Sequence, residues 1–456
     1  MTADPLRWFW AAVAVGLWLL VLAAVAWSRA RARRAAAARA GLLDASGTDV
    51  VTVAFASQTG LAEDLAWMTA RSLSDAGTGT RVVPLGDLDF PTLKTTGRLL
   101  IVASTTGEGD APDTVSRFVR QVMSETPDLT GVHYGLLALG DRSYTAFCGF
   151  GLALDAWLKR TGAEPLFDRV EVDDGDTGAL RHWQHQLAVL TGSAIPADWT
   201  PPALDRWRLV ERTHLNPGSP GGEAWLLAFA PVDHAPVWVA GDIAEIGLPP
   251  LADAGAPTSR EYSVASLPRD GRAEFIVRRM IAADGTPGRA SGWLTRDVAP
   301  GDEVAMRIRP NRGFHGPTAE TPLILIGNGT GLAGLRAHWK ARAGASHGGV
   351  WLMFGERTRA HDAFLDDELE AALSSGDLTR LDRTFSRDPG DARYVQALIT
   401  DHADDLRAWV DRRAVILVCG SLDGMSKGVQ AALADTLGPE RLDDLTGAGR
   451  YRRDVY

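Results

Sequence analysis

The 456-residue sequence predicts an α/β protein: two doubly wound parallel sheets with a small antiparallel barrel between them, behind one apolar N-terminal helix. Three observations predict it. Val50–Ala56 and Leu323–Ile326 are short apolar runs that each end in a Gly- or hydroxyl-rich turn and open into a helical pattern. Between them lie six short β-patterned runs separated by turn signals. Trp8–Trp27 carries no charge at all. The length suits two to four domains of ~100–200 residues. With 45% hydrophobic and 23% charged residues, the chain has the mix of folded globular protein. A net charge of −10 excludes a general nucleic-acid binder, which needs a basic face. Cys148 and Cys419, the only cysteines, exclude a disulfide framework and a Cys-rich zinc site, and they suit a reducing compartment.

Trp8–Trp27, if helical, is long enough to cross about 30 Å of hydrocarbon. Aromatic residues stand at both ends, and Arg29, Arg31, Arg33, Arg34 and Arg39 follow. A cleaved signal peptide would carry its charges first. The expectation is an anchor over 1–28 and a basic linker over 29–47. It places the protein in the inner or cytoplasmic membrane as a single-pass protein, with the catalytic domains facing the cytoplasm. Residues 1–41 carry six Arg against Asp4, a net of +5, which leaves −15 for the rest.

Residues 48–195 read as the first α/β domain. After the strand at Val50–Ala56 comes Ser57-Gln58-Thr59-Gly60, then Ala62 within the helical pattern. Hydroxyls and free amides at a helix start suit an anion, although a plain capped turn has the same look. A second strand at Leu99–Ser104 runs into Thr105-Thr106-Gly107-Glu108-Gly109-Asp110, where two glycines let the backbone approach a flat ligand. A third ends in Leu139-Gly140-Asp141-Arg142-Ser143-Tyr144, with Phe147 just beyond. This puts an aromatic ring at the sheet edge where ligands bind. The stretch is acidic, with 19 Asp and Glu against 11 Lys and Arg between residues 48 and 195. That is either a solvated face or a docking surface for a basic partner.

Residues 196–318 open on the breaker-rich Pro196–Pro202 and read as a barrel of six strands: Arg206–Thr213, Trp225–Phe229, Val237–Ala240, Tyr262–Ser266, Glu274–Met280 and Glu303–Arg309. Arg260 offers a guanidinium fork to a pyrophosphate, and Tyr262 offers a stacking face beside Ser263. Gly288-Arg289-Ala290-Ser291 can open a helix onto a phosphate. Residues 319–456 read as the second doubly wound domain. Gly327-Asn328-Gly329-Thr330-Gly331 follows a buried strand, as dinucleotide-binding turns do. Ser386 and Arg387 suit a 2′-phosphate, and so NADPH over NADH. Tyr394-Val395-Gln396 and Cys419-Gly420 complete the set.

These motifs, in this order, resemble those of the NADPH-dependent diflavin reductases, the sulfite reductase flavoprotein and NADPH–cytochrome reductase type, over residues 48–456. The resemblance implies a flavodoxin-like FMN domain over 48–195, then a ferredoxin-NADP reductase-type unit with an FAD barrel over 196–318 and an NADP domain over 319–456. It implies that Ser57, Gln58, Thr59, Gly60 and Ala62 hold the FMN phosphate. Thr105, Thr106, Gly107, Gly109, Leu139, Gly140, Asp141, Tyr144 and Phe147 would surround its ring, with Tyr144 stacked on it. Arg260, Tyr262, Ser263, Gly288, Ala290 and Ser291 would hold FAD. Gly329, Thr330, Ser386, Arg387, Tyr394 and Gln396 would hold NADPH. Ser263, Cys419 and Asp454 would position the nicotinamide, and the terminal Tyr456 would cover the FAD ring.

The chain departs from the family pattern in several places, among them Asn328 and Gly334, where the family has Pro. Thr106 stands where some relatives have an aromatic. Ala392, with Arg393 beside it, stands where relatives often have Lys. Only residues 243–259 separate Asp242 from Arg260, where full-length relatives insert a helical connecting domain. The implied function is electron transfer from NADPH through FAD and FMN to a one-electron acceptor, a basic haemoprotein or iron–sulfur protein. Reduction of sulfite, ferric iron or a quinone is the enzymatic alternative, and a flavin redox sensor without turnover is the non-enzymatic one.

Overall fold

The computed structural model describes residues 50–455, apart from 143, 194–198, 200–202, 235, 250–258, 283, 345–346 and 391. The proposed anchor and linker over 1–47, and Tyr456, lie outside these residues. The membrane location is corrected. Among the described residues, no helix is long and apolar enough to cross a membrane. The longest of them, Leu61–Asp75 and Thr177–Thr191, have 15 residues each. At 1.5 Å per residue they reach about 22 Å, short of a hydrocarbon core of about 30 Å, and each buries only one face.

The first sheet holds β1 (Val51–Ala56), β2 (Thr80–Pro84), β3 (Arg98–Ser104), β4 (His133–Gly140), β5 (Glu164–Pro165) and β6 (Val170–Asp173). All pairs are parallel, in the order β2-β1-β3-β4, with β5 and β6 both on the outer edge of β4. Period-two alternation feeds two cores. Leu99, Ile101 and Ala103 of β3 pack with Phe150, Leu154 and Trp157 of the helix Gly149–Arg160. Leu100 and Val102 pack instead with Leu65, Leu73, Trp183 and Leu187 from the two long helices. The chain order reverses between β1 and β3, so the loops after β1, β3 and β4 meet at the switch point.

The second sheet holds β7 (Asp205–His214), β8 (Ala224–Pro231), β9 (Ile243–Gly247), β10 (Ser259–Ser263), β11 (Ala273–Arg278) and β12 (Glu303–Arg309), antiparallel in the order β10-β9-β12-β7-β8-β11. All six strands give side chains to one core around Trp207, Phe229 and Phe275, so the sheet curls about it. The expected strand at Val237–Ala240 is a loop. There Trp238 is buried with its indole N–H on the Ser266 carbonyl, while Val237 is exposed. The strand in its place is β9. The expected Tyr262–Ser266 strand ends earlier, at Ser263, and Ala265 and Ser266 bond instead to Glu274 of β11.

The third sheet holds β13 (Leu323–Asn328), β14 (Val350–Glu356), β15 (Arg380–Phe385), β16 (Val415–Gly420) and β17 (Tyr451–Val455), all parallel in the order β15-β14-β13-β16-β17. The core on one of its faces is shared with the barrel, since Leu323, Leu325, Leu335 and Trp339 pack with Leu226, Ile276 and Phe314. At the same junction Arg336, 6% exposed, is paired with Glu274 of β11 and with Glu368. Among the described residues, no core cluster joins the first sheet to either of the others in this way.

Candidate functional site

The loop after β1 turns into the helix Leu61–Asp75 through Gly60, whose φ of 100° is open to glycine at little cost. A Cβ there would also lie 2.9 Å from the Pro310 carbonyl oxygen. The Ser57 hydroxyl accepts the Gly60 N–H at 2.8 Å, which curls the loop, and Ala62 is buried in the first helical turn. Gln58 does not aim its amide into the loop. Its Oε1 accepts the Asp113 N–H at 2.8 Å and its Nε2 donates to the Arg453 carbonyl at 2.8 Å. Thr59 receives Arg309 on its carbonyl and its hydroxyl.

After β3, Thr106 closes a turn with Asp110 through N–H and hydroxyl, and Gly107 and Gly109 both have positive φ. The buried Thr105 Oγ1 has no partner among the described residues. A hydroxyl left unpaired at the switch point is what a ligand-bonded group looks like without its ligand. After β4, Leu139 is buried and Gly140 ends the strand. The Tyr144 N–H closes a turn on the Asp141 carbonyl at 3.2 Å. The Tyr144 ring is exposed, while Phe147 lies under the Arg142 guanidinium at 4.8 Å. The three loops thus form one rim that fits FMN.

In the barrel, Tyr262 packs edge-on to Phe275 at 6.4 Å, and burial pushes its hydroxyl up to about 12. The Ser291 hydroxyl accepts the Met280 N–H at 3.0 Å, fastening the short helix Arg289–Gly292, with Gly288 and Ala290, to the end of β11. Its N-terminus offers backbone N–H groups suited to a phosphate. Arg260 is held elsewhere, with Nη1 3.2 Å from Asp174 of the first module.

Three strands converge behind this. Ser263 of β10 donates to Asp454 of β17 at 2.7 Å, and the Cys419 thiol of β16 donates to the same carboxylate oxygen at 3.8 Å. All three are buried. Burial raises the carboxyl of Asp454, and burial, with Asp454 beside it, raises the thiol of Cys419 as well.

The third sheet opens onto a cavity of about 550 Å³ lined by Gly329, Thr330, Ser386, Arg387, Tyr394 and Gln396, which are all the predicted dinucleotide residues. The buried Gln396 Oε1 has no partner among the described residues, so an acceptor stands ready in a cavity fit for NADPH. Arg393 is paired with Asp401 and is not on the lining. Sequence reasoning missed Arg278, Glu356 and Arg357 on that lining, and Arg309 and Arg453 around the first loop. Each owes its place to a partner tens to hundreds of residues away, and only the Arg278-Arg279 pair ending a strand gave a local hint.

This is the architecture of a flavoprotein oxidoreductase in which a flavodoxin-type module is joined to a reductase unit. The Flavodoxin family matches residues 53–183, and the Oxidoreductase NAD-binding domain family matches 325–431. The chain is 25% identical to the sulfite reductase [NADPH] flavoprotein alpha-component of Vibrio vulnificus, over 89% of this chain and 87% of that protein. It is 27% identical to the protein of the same name from Cronobacter sakazakii, over 90% and 91%. These matches support the NADPH-dependent diflavin reductase family, with FMN, FAD and NADPH as its cofactors. It is an oxidoreductase that moves electrons from NADPH through FAD to FMN. The first alignment runs over 542 positions, more than the 456 residues of this chain, so the relative carries residues with no counterpart here.

Proposed function

We propose that the FMN module delivers single electrons to a haemoprotein or iron–sulfur protein with a basic docking face. The observation that carries this is the way the module meets its own reductase unit. Asp113 receives Arg453, Asp174 receives Arg260 and Glu63 receives Arg312. The acidic rim beside the flavin loops already recognises guanidinium groups, and an external acceptor with a basic face fits the same rim. Sulfite reduction is the second reading, favoured by the names of the relatives.

The two bound flavins convert a two-electron donor into one-electron deliveries. The chain's own residues do the positioning. In this reading Ser386, Arg387, Tyr394 and Gln396 hold the adenosine 2′-phosphate end of NADPH, and Gly329 and Thr330 hold its pyrophosphate. Ser263, Cys419 and Asp454 set the nicotinamide against the barrel and keep a buried, hydrogen-bonded wall there. Ser57, Thr59, Gly60 and Ala62 seat the FMN phosphate, with Gln58 shaping the loop from outside. The test is NADPH-driven reduction of cytochrome c, a basic haem protein, by protein stripped of FMN alone. Haem reduction is lost while ferricyanide reduction survives; survival of both rules out the serial route.

A further inference from the structure

The loop over 57–60 and the helix it opens carry no Lys or Arg before Arg71, and Glu63 and Asp64 stand in the first helical turn. A phosphate monoester carries about −1.5 to −2 charges at pH 7, and this seat by itself offers it only neutral donors beside two carboxylates. The cations come from the barrel. Arg312 pairs with Glu63 at 2.5 Å. Arg309, the last residue of β12, lies against the loop and is 3% exposed. Its Nη1 donates to the Thr59 carbonyl, and its Nη2 donates to the Thr59 hydroxyl at 3.2 Å and pairs with Glu261. A Cβ on Gly60 would lie 3.2 Å from Arg309 Nη1, and one on Gly313 would lie 3.1 Å from the Gln58 carbonyl oxygen, so barrel and loop are in direct contact. The buried Arg309 Nε has no partner among the described residues.

A hydroxyl that accepts from an arginine keeps its own hydrogen to give. Arg309 therefore fixes Thr59 as a donor, and an anion in the loop is the acceptor that its position suits. The guanidinium also sets a buried charge near that anion, where salt screens the attraction less than at the surface. We propose that Arg309, on the FAD barrel, is a positioning residue for the FMN phosphate, acting through the Thr59 hydroxyl and through its own charge. The inference rests on the reading of 57–62 as the phosphate seat. Its consequence is a coupling between two modules. The first module holds FMN more tightly while docked on the barrel, and by reciprocity FMN favours the docked arrangement by the same factor. FMN retention and module docking are then linked through a residue that lies outside every FMN motif.

The experiment strips FMN alone from the full chain, keeps FAD bound, and titrates back two probes by calorimetry: FMN, and riboflavin, which lacks the phosphate. Arg309→Ala is expected to weaken FMN at least about tenfold and to leave riboflavin within about twofold. Arg309→Lys, which keeps the charge but not the fork, is expected to fall between wild type and Arg309→Ala. Arg309→Ala leaves Glu261 unpaired, so it is also made in a Glu261→Gln background, where a loss of FMN affinity of at least about fivefold is expected to persist. In a Thr59→Val background the same change is expected to cost no more than about threefold, because the hydroxyl it orients is gone. Unchanged FMN affinity in Arg309→Ala, or equal weakening of FMN and riboflavin, overturns the assignment. So does a loss that vanishes with Glu261→Gln, which would mean that Arg309 only neutralises that carboxylate, or one undiminished by Thr59→Val. A wild type that does not distinguish FMN from riboflavin would overturn the phosphate reading of the loop itself and this inference with it. FAD content and thermal midpoint of each variant separate misfolding from lost contact.

Discussion

The molecule has two kinds of internal junction. The barrel and the third sheet share a hydrophobic core, with Leu335, Trp339, Ile276 and Phe314 in one cluster and Arg336 buried among carboxylates. The first sheet instead meets the reductase unit through arginine–acid contacts and backbone carbonyls, at Arg453–Asp113, Arg309–Thr59, Arg312–Glu63 and Arg260–Asp174. An apolar junction of the first kind behaves as a domain core and does not open without unfolding. A polar junction is screened by salt and can part at modest cost. The candidate NADPH cavity is therefore built across the permanent junction, and the flavodoxin-type module sits across the separable one. One strand serves both, since β17 turns Asp454 to Ser263 and Cys419 and turns Arg453 to Asp113.

The largest effect is expected at the shared core. Leu335→Ala removes a fully buried side chain and costs about 2–5 kcal/mol. In denaturant, barrel and third sheet unfold together and earlier, while the first sheet keeps its midpoint. Separate transitions for barrel and third sheet would break the comparison. Asp454→Asn comes next, with loss of NADPH-driven turnover by about tenfold or more. Its stability effect has a defined sign. Burial holds the Asp454 carboxyl above its unfolded range, so its contribution is fully present at acid pH and is lost as pH rises through the folded value. The thermal midpoint of Asp454→Asn relative to wild type therefore climbs as pH rises above the ordinary carboxylate range (about 4), and a flat difference would contradict it. The smallest effect belongs to Asp174→Asn, which removes a half-exposed pair with Arg260 worth less than ~1 kcal/mol. FMN content and cytochrome c reduction at moderate salt are expected to stay within twofold.

Much of this was legible in the sequence. The parallel strands are runs of apolar residues closed by turn chemistry, and period two alone assigns Leu99 and Leu100 to opposite cores. The binding loops were legible because each is a contiguous motif. Other features were hidden for physical reasons. Val237–Ala240 has the composition of a strand but forms a loop around the buried Trp238, while β9 carries Glu245 inside it, made tolerable by Arg307 at 2.7 Å and Ser259 at 3.0 Å across the sheet. Tyr451–Val455 looks like a charged tail, and it becomes a sheet strand because Arg452, Arg453 and Asp454 each find partners elsewhere in the chain. The acidic residues of the first module gave their number but not their use. Asp113 and Asp174 are spent on the chain's own arginines, so an acceptor competes with the reductase unit for them.

The central claim is that the first module parts from the reductase unit while the barrel and third sheet stay joined. Small-angle scattering of the flavin-loaded protein tests it directly, comparing ~0.05 M with ~0.5 M salt, where the screening length falls from about 14 Å to about 4 Å, and adding Arg453→Ala at low salt. The account predicts a larger radius of gyration at high salt and in the variant, with FAD and NADP⁺ binding intact. An unchanged radius in both, or expansion accompanied by loss of FAD, would contradict it.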